Sequence, residues 1–167
     1  LGRSEYGYFA IVYAAANAAS TIACGWLTQG LLRFVPGLGV ERLDLRATLA
    51  PAAALTFAVG TLLAVIALAV LGEPWSSART IAAGVLLVSG FTAHAVTSAI
   101  FQAAGLPRRV AEVEVVRAVS ALVLATIACS WLGLGFLGAI VAIGLSMVFS
   151  SCWGARVASR VLEPKPV

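Results

Sequence analysis

The run LAPAAALTFAVGTLLAVIALAVL at residues 49–71 holds no charged side chain in 23 positions. A helix needs roughly 20 apolar residues to cross the hydrocarbon core of a bilayer. The run meets that length without the period-2 alternation of a half-buried strand. Pro51 is expected in the first helical turn, where a missing N–H costs nothing. Gly72-Glu73-Pro74 closes the run.

Four similar runs flank it. Residues 6–32 are uncharged and are expected to end at Arg33-Phe34-Val35-Pro36-Gly37, because Pro and Gly stop helices. Residues 80–104 carry no ionisable group except His94 and end at Gly105-Leu106-Pro107-Arg108-Arg109. The next uncharged stretch, 118–132, is too short to span unless it takes in the turn with Glu112, Glu114 and Arg117. The fourth span is therefore read as 110–132, and Glu114 and Arg117, three apart, share a helix face there. The fifth is 134–155, entered through Gly133 and Gly135 and followed by a tail with Arg156, Arg160 and Lys165.

Composition agrees with these spans. The chain is 61% hydrophobic and 11% charged, with a mean hydropathy of +1.01. Soluble domains carry about 25% charged residues, so lipid rather than water must cover this surface. Unpaired backbone groups are costly in lipid, which leaves helices or a closed barrel, and runs of this length decide for helices. The expected fold is all-α, a polytopic transmembrane bundle of about five spans in one domain over residues 1–167. Connections are short, so successive helices are antiparallel.

Basic residues sort by side. One side takes Arg33, Arg42, Arg46, Arg108, Arg109, Arg117, Arg156, Arg160 and Lys165, and the other only Arg3 and Arg79. Cytoplasmic loops carry the positive excess, which places the N-terminus outside and the C-terminus inside. Trp75, Trp131, Tyr6 and Tyr8 then form a partial aromatic belt at the outer interface. The net charge of +4 reads as topology, since the basic clusters are short and separated by apolar runs rather than joined in a nucleic-acid-binding stripe. No signal peptide is expected after Leu1-Gly2-Arg3, and an odd number of spans starting outside calls for a preceding helix. Cys24, Cys129 and Cys152 lie far apart within apolar runs and are expected to be inert packing thiols. No metal or cofactor is expected.

The segment Leu1-Gly2-Arg3-Ser4-Glu5-Tyr6-Gly7-Tyr8-Phe9 resembles the LGxxEYGxF entry to the second helix of polysaccharide and O-antigen flippases, and Leu32-Arg33-Phe34-Val35-Pro36 fits the end of that helix. Phe101-Gln102-Ala103-Ala104-Gly105 resembles the end of the family's fourth helix. The stretch from Arg117 to Ser146, with its Leu-Gly-Leu-Gly turn, resembles the fifth and sixth. These flippases belong to the multidrug, oligosaccharidyl-lipid and polysaccharide exporter superfamily, with two six-helix bundles around a central cavity. The resemblance implies that the chain covers helices two to six of the N-terminal bundle and that its partners include the second bundle. It implies translocation of an undecaprenyl-diphosphate-linked oligosaccharide across the bacterial inner membrane, for lipopolysaccharide or other surface polysaccharide biosynthesis.

Six residues are candidates for substrate contact. Arg33 ends the first span, where a guanidinium can grip a diphosphate bidentately or simply snorkel to the interface. Asn17 and Gln29 interrupt the same apolar helix and serve either substrate or interhelical hydrogen bonds. His94 is the only histidine, and an intramembrane ionisable group invites a functional reading. A neutral His bonded to a neighbouring helix is the plainer one. Gln102, two turns on, extends a polar stripe from His94, and Arg117 either faces a cavity or pairs with Glu114. The dense small residues of Gly135-Phe136-Leu137-Gly138-Ala139 and Ala14-Ala15-Ala16 are expected to serve helix packing.

An enzyme is not expected, because the acidic residues lie near span ends and His94 has no evident carboxylate partner. An ion-coupled drug exporter of the same superfamily needs a carboxylate deep in a span, and none is evident. A non-transporting membrane scaffold is the third reading.

Overall fold

A computed structural model describes residues 2–38, 45–70 and 77–161. It is all-α. In order come α1 (Arg3–Leu38), α2 (Leu45–Val70), α3 (Ala78–Ala103), α4 (Pro107–Thr126), a π-helical turn (Ile127–Trp131) and α5 (Gly135–Val161). No strand occurs among the described residues. All five helices are long and apolar enough to cross a membrane, the fourth when α4 and the π turn are taken together.

Several ends differ from expectation. α1 continues through Pro36 and Gly37 to Leu38 instead of stopping at Arg33. A proline close to a helix end removes one backbone bond, and its fixed φ is helical, so it need not break the last turns. α2 starts at Leu45, so Pro51 lies inside the helix rather than in its first turn. The bond that an N–H at position 51 would give to the Ala47 carbonyl is therefore missing. α5 runs on past Ala155 to Val161. The connections at Gly72-Glu73-Pro74 and Trp75, the tail at Lys165, and Arg42 lie outside the described residues.

Local chemistry explains the sharper boundaries. Ser77 caps α3, its hydroxyl accepting from the Thr80 N–H at 3.3 Å. At the other end Gly105, at φ 68°, lets its own N–H reach the Gln102 carbonyl and the Leu106 N–H reach the Phe101 carbonyl. This double closure needs a left-handed residue, which glycine adopts freely. Pro107 then opens α4 with a φ already suited to a helix. Between the π turn and α5, Gly133 and Gly135 are both at positive φ, which makes the connection tight.

α3 is the hub, packing on all four other helices, while α4 touches neither α1 nor α2 among the described residues. The main core joins Val12 and Ala16 of α1, Ala64 and Leu68 of α2, Leu87 and Val88 of α3, and Ile140 of α5. Leu27 and Leu31 meet Ala99 in a second cluster nearer the α3–α4 end. Glycines set the closest approaches. Gly60 of α2 faces Val88 and Ala23, Gly138 faces Ala128, and Gly144 and Gly154 of α5 face Leu86 and Thr97 of α3. Lipid tails are as apolar as leucine, so such steric fit drives helix association in a bilayer. Of the expected packing stretches, Ala16 is buried but Ala14 is exposed.

The rising register of Leu86–Gly144 and Thr97–Gly154 makes α3 and α5 parallel, whereas Val113–Gly154 and Ala128–Gly138 make α4 antiparallel to α5. Helix ends therefore segregate. Arg33, Arg46, Arg108, Arg109, Arg117, Arg156 and Arg160 belong to the end where α3 turns into α4, and Arg3 and Arg79 to the other. Half of the spanning stretch of α3 and α5 is buried, but only 11% of that of α4. Val115, Val119, Leu122 and Val123 leave α4 an exposed apolar face suited to lipid.

Candidate functional site

The site lies on the seam between α3 and α4. His94 sits nine residues before the end of α3, and Glu114 seven residues after the start of α4. At 1.5 Å per residue both lie roughly 10–14 Å in from the turn that joins the helices. The His94 Nε2 and Glu114 Oε1 are 2.8 Å apart. The Arg117 Nε donates to the other carboxylate oxygen, Oε2, also at 2.8 Å. One carboxylate thus bridges a cation on its own helix and an imidazole on the next.

Nδ1 of His94 is buried with no hydrogen-bond partner. The tautomer with its proton on Nε2 donates to Glu114 and leaves only a bare acceptor at Nδ1. Exposure is graded across the cluster: the side chain of His94 is 14% exposed, that of Arg117 31% and that of Glu114 43%.

Gln102 lies toward the α3–α4 turn, lining a recess of about 390 Å³ with Pro107, Val110 and Ala111. His94 lies two turns from Gln102 on α3 but does not line this recess, and Arg117 pairs with Glu114. Nearer the end of the seam, Glu112 bridges Arg108 and Arg109 in a more exposed group. Such surface pairs contribute little to stability.

The other three candidates lie elsewhere. Asn17, Gln29 and Arg33 are all on the exposed surface of α1, and α1 does not pack on α4. The Asn17 carbonyl accepts from the Thr21 hydroxyl within the helix. Among the described residues, no three His, Cys, Asp or Glu side chains gather as metal ligands would.

Two sequence-based expectations are corrected here. His94 does have a carboxylate partner. Glu114 lies two turns inside the fourth helix rather than at its end, its side chain 43% exposed, because the fourth span reaches full length only by taking in its first charged turns. That shortage of uncharged residues was the available signal for Glu114. Packing corrects a third point: Cys24 is buried and Cys129 half-buried, but Cys152 is exposed. It lines a separate apolar recess of about 460 Å³ between α2 and α5, floored by Ser89, Thr92 and Ala93 of α3.

No protein-family model, curated protein or solved structure matches the chain.

Proposed function

We propose that this chain is part of an inner-membrane transporter that carries lipid-linked oligosaccharides from the cytoplasmic to the periplasmic leaflet. One observation carries the reading: the partly buried His94–Glu114–Arg117 cluster on the α3–α4 seam, two turns or more in from the connecting turn. Charged groups within a span are expensive and are retained where they meet substrate, ions or water. An anionic diphosphate with attached sugars needs a polar, cationic path, while its lipid tail stays in hydrocarbon. Gln102 and His94 lie two turns apart on the α3 side of the seam, and the recess beside Gln102 lies at the arginine-rich end. By the positive-inside rule that end is cytoplasmic, where such substrates are built. The segments resembling the LGxxEYGxF and Leu-Gly-Leu-Gly elements also meet, with Gly135 packed beneath the Glu5 carboxylate.

Chromosomal His94→Ala and Arg117→Ala substitutions test this. Both should reduce surface polysaccharide without lowering the amount of protein in the membrane, and unchanged polysaccharide at normal abundance would reject the proposal. Glu114 itself favours a second reading, a proton-coupled exporter of small cationic molecules, since a carboxylate does lie within a span. Loss of dye efflux in Glu114→Gln cells with intact polysaccharide would select that reading.

A further inference from the structure

The two oxygens of the Glu114 carboxylate are each held by a different donor, Nε2 of His94 and Nε of Arg117, at 2.8 Å. A guanidinium and an imidazole N–H set around two oxygens of one anion also suit two oxygens of a phosphate. We propose that Glu114 is an internal stand-in for the substrate phosphate. A diphosphate diester takes over the Arg117 and His94 donors, and the displaced Glu114 carboxylate takes up one proton from solution. This inference rests on the transporter reading above and adds proton linkage at a named residue.

The proton balance follows from the geometry. Before exchange, Arg117 is cationic, Glu114 anionic, and His94 donates from Nε2. A dianionic diphosphate entering beside an ionised Glu114 would bring like charges together where solvent screening is poor. Protonation of Glu114 removes that repulsion and breaks no covalent bond. The buried Nδ1 of His94 has no hydrogen-bond partner to receive an added N–H. Glu114 is the more exposed of the two, at 43% against 14%, which leaves its carboxylate room to swing away.

Few other charges bear on Glu114. On α4 itself, Arg117 is bonded to it, and Arg108 and Arg109 are occupied by Glu112. From α3 the ionisable groups are His94 and, at the far end, Arg79. From α5, Gly154 packs on Val113, and the ionisable residues are Cys152 and Arg156, both exposed, and Arg160. The π turn brings only Cys129, at the far end of the span.

The test is titration calorimetry of the purified chain in detergent with UDP-glucose, a soluble diphosphate diester whose phosphates stay ionised near neutrality. Paired buffers of different ionisation enthalpy count the protons. The wild type should take up close to one proton per ligand, and its affinity should fall as pH rises, by up to about tenfold per pH unit while the carboxyl stays protonated in the complex. Glu114→Gln should bind at least about tenfold more tightly at the higher pH values, with no proton uptake and little pH dependence. Arg117→Ala should lose binding, and His94→Gln should keep proton uptake. Wild-type binding without proton uptake overturns the exchange, and that measurement needs no variant to fold. Retained uptake in Glu114→Gln, or no UDP-glucose binding to the wild type, overturns it as well. Surface polysaccharide in cells reads the transporter proposal separately. Its loss in His94→Ala and Arg117→Ala cells without ligand-linked proton uptake would reject the exchange alone.

Discussion

Gly90 of α3 and Gly144 of α5 meet backbone to backbone: a Cβ on Gly90 would lie 2.8 Å from the Gly144 carbonyl oxygen and 2.9 Å from the Met147 Cβ. Neither obstacle is the free end of a side chain, so α3 and α5 would have to separate. Gly90→Ala should destabilise the protein by about 1–3 kcal/mol, read as a lower midpoint of thermal unfolding in detergent. Gly25, with nothing within 4 Å of its Cβ position, provides the control. Gly25→Ala should be neutral or stabilising by up to about 1 kcal/mol, the helix-propensity gain. Equal midpoints for the two variants would count against the α3–α5 contact.

The His94–Glu114 bond links two helices that otherwise meet over a short length. A double-mutant cycle with His94→Ala and Glu114→Ala should return a coupling of about 1 kcal/mol, near the upper range of hydrogen bonds measured inside membranes. Additive effects would mean that the two side chains do not meet.

Thr56 is fully buried and its hydroxyl has no partner. Thr56→Val keeps the shape and removes an unsatisfied polar group, so it should stabilise the protein by about 1 kcal/mol. Thr97→Val should bring no such gain, since that hydroxyl donates to the Ala93 carbonyl at 2.8 Å. A destabilised Thr56→Val protein would reveal a partner for the hydroxyl.

The positive-inside assignment makes Arg108 cytoplasmic and Ser130 periplasmic. A membrane-impermeant thiol reagent applied to intact cells should label Ser130→Cys and spare Arg108→Cys until the membrane is permeabilised, in a background without the native cysteines. The reverse pattern inverts the topology.

Much of the fold is legible along the chain. A span is a length of uncharged residues, and residues 49–71 or 80–104 announce themselves whatever surrounds them. Glycine and proline at 105 and 107 mark a helix boundary through their own backbone chemistry. Pro36 and Pro51 were the exceptions, because a proline lowers helix stability locally without deciding whether the neighbouring turns hold. The Glu114–Arg117 pair was equally legible, since residues three apart on a helix are neighbours by construction.

The candidate site was only half visible. His94, Gln102 and Arg117 stood out as polar residues in apolar runs, yet the contact that unites two of them with Glu114 crosses twenty positions of sequence.

Length and charge act on lipid residue by residue, and they are enough to give five apolar helices, their alternating direction and the end at which the arginines gather. Packing alone makes α3 the hub, seats it on α5 through Gly90 and Gly144, and turns Glu114 of α4 toward His94. Those facts depend on which helix faces fit together. Hydropathy does not encode that choice when every partner, lipid included, is apolar.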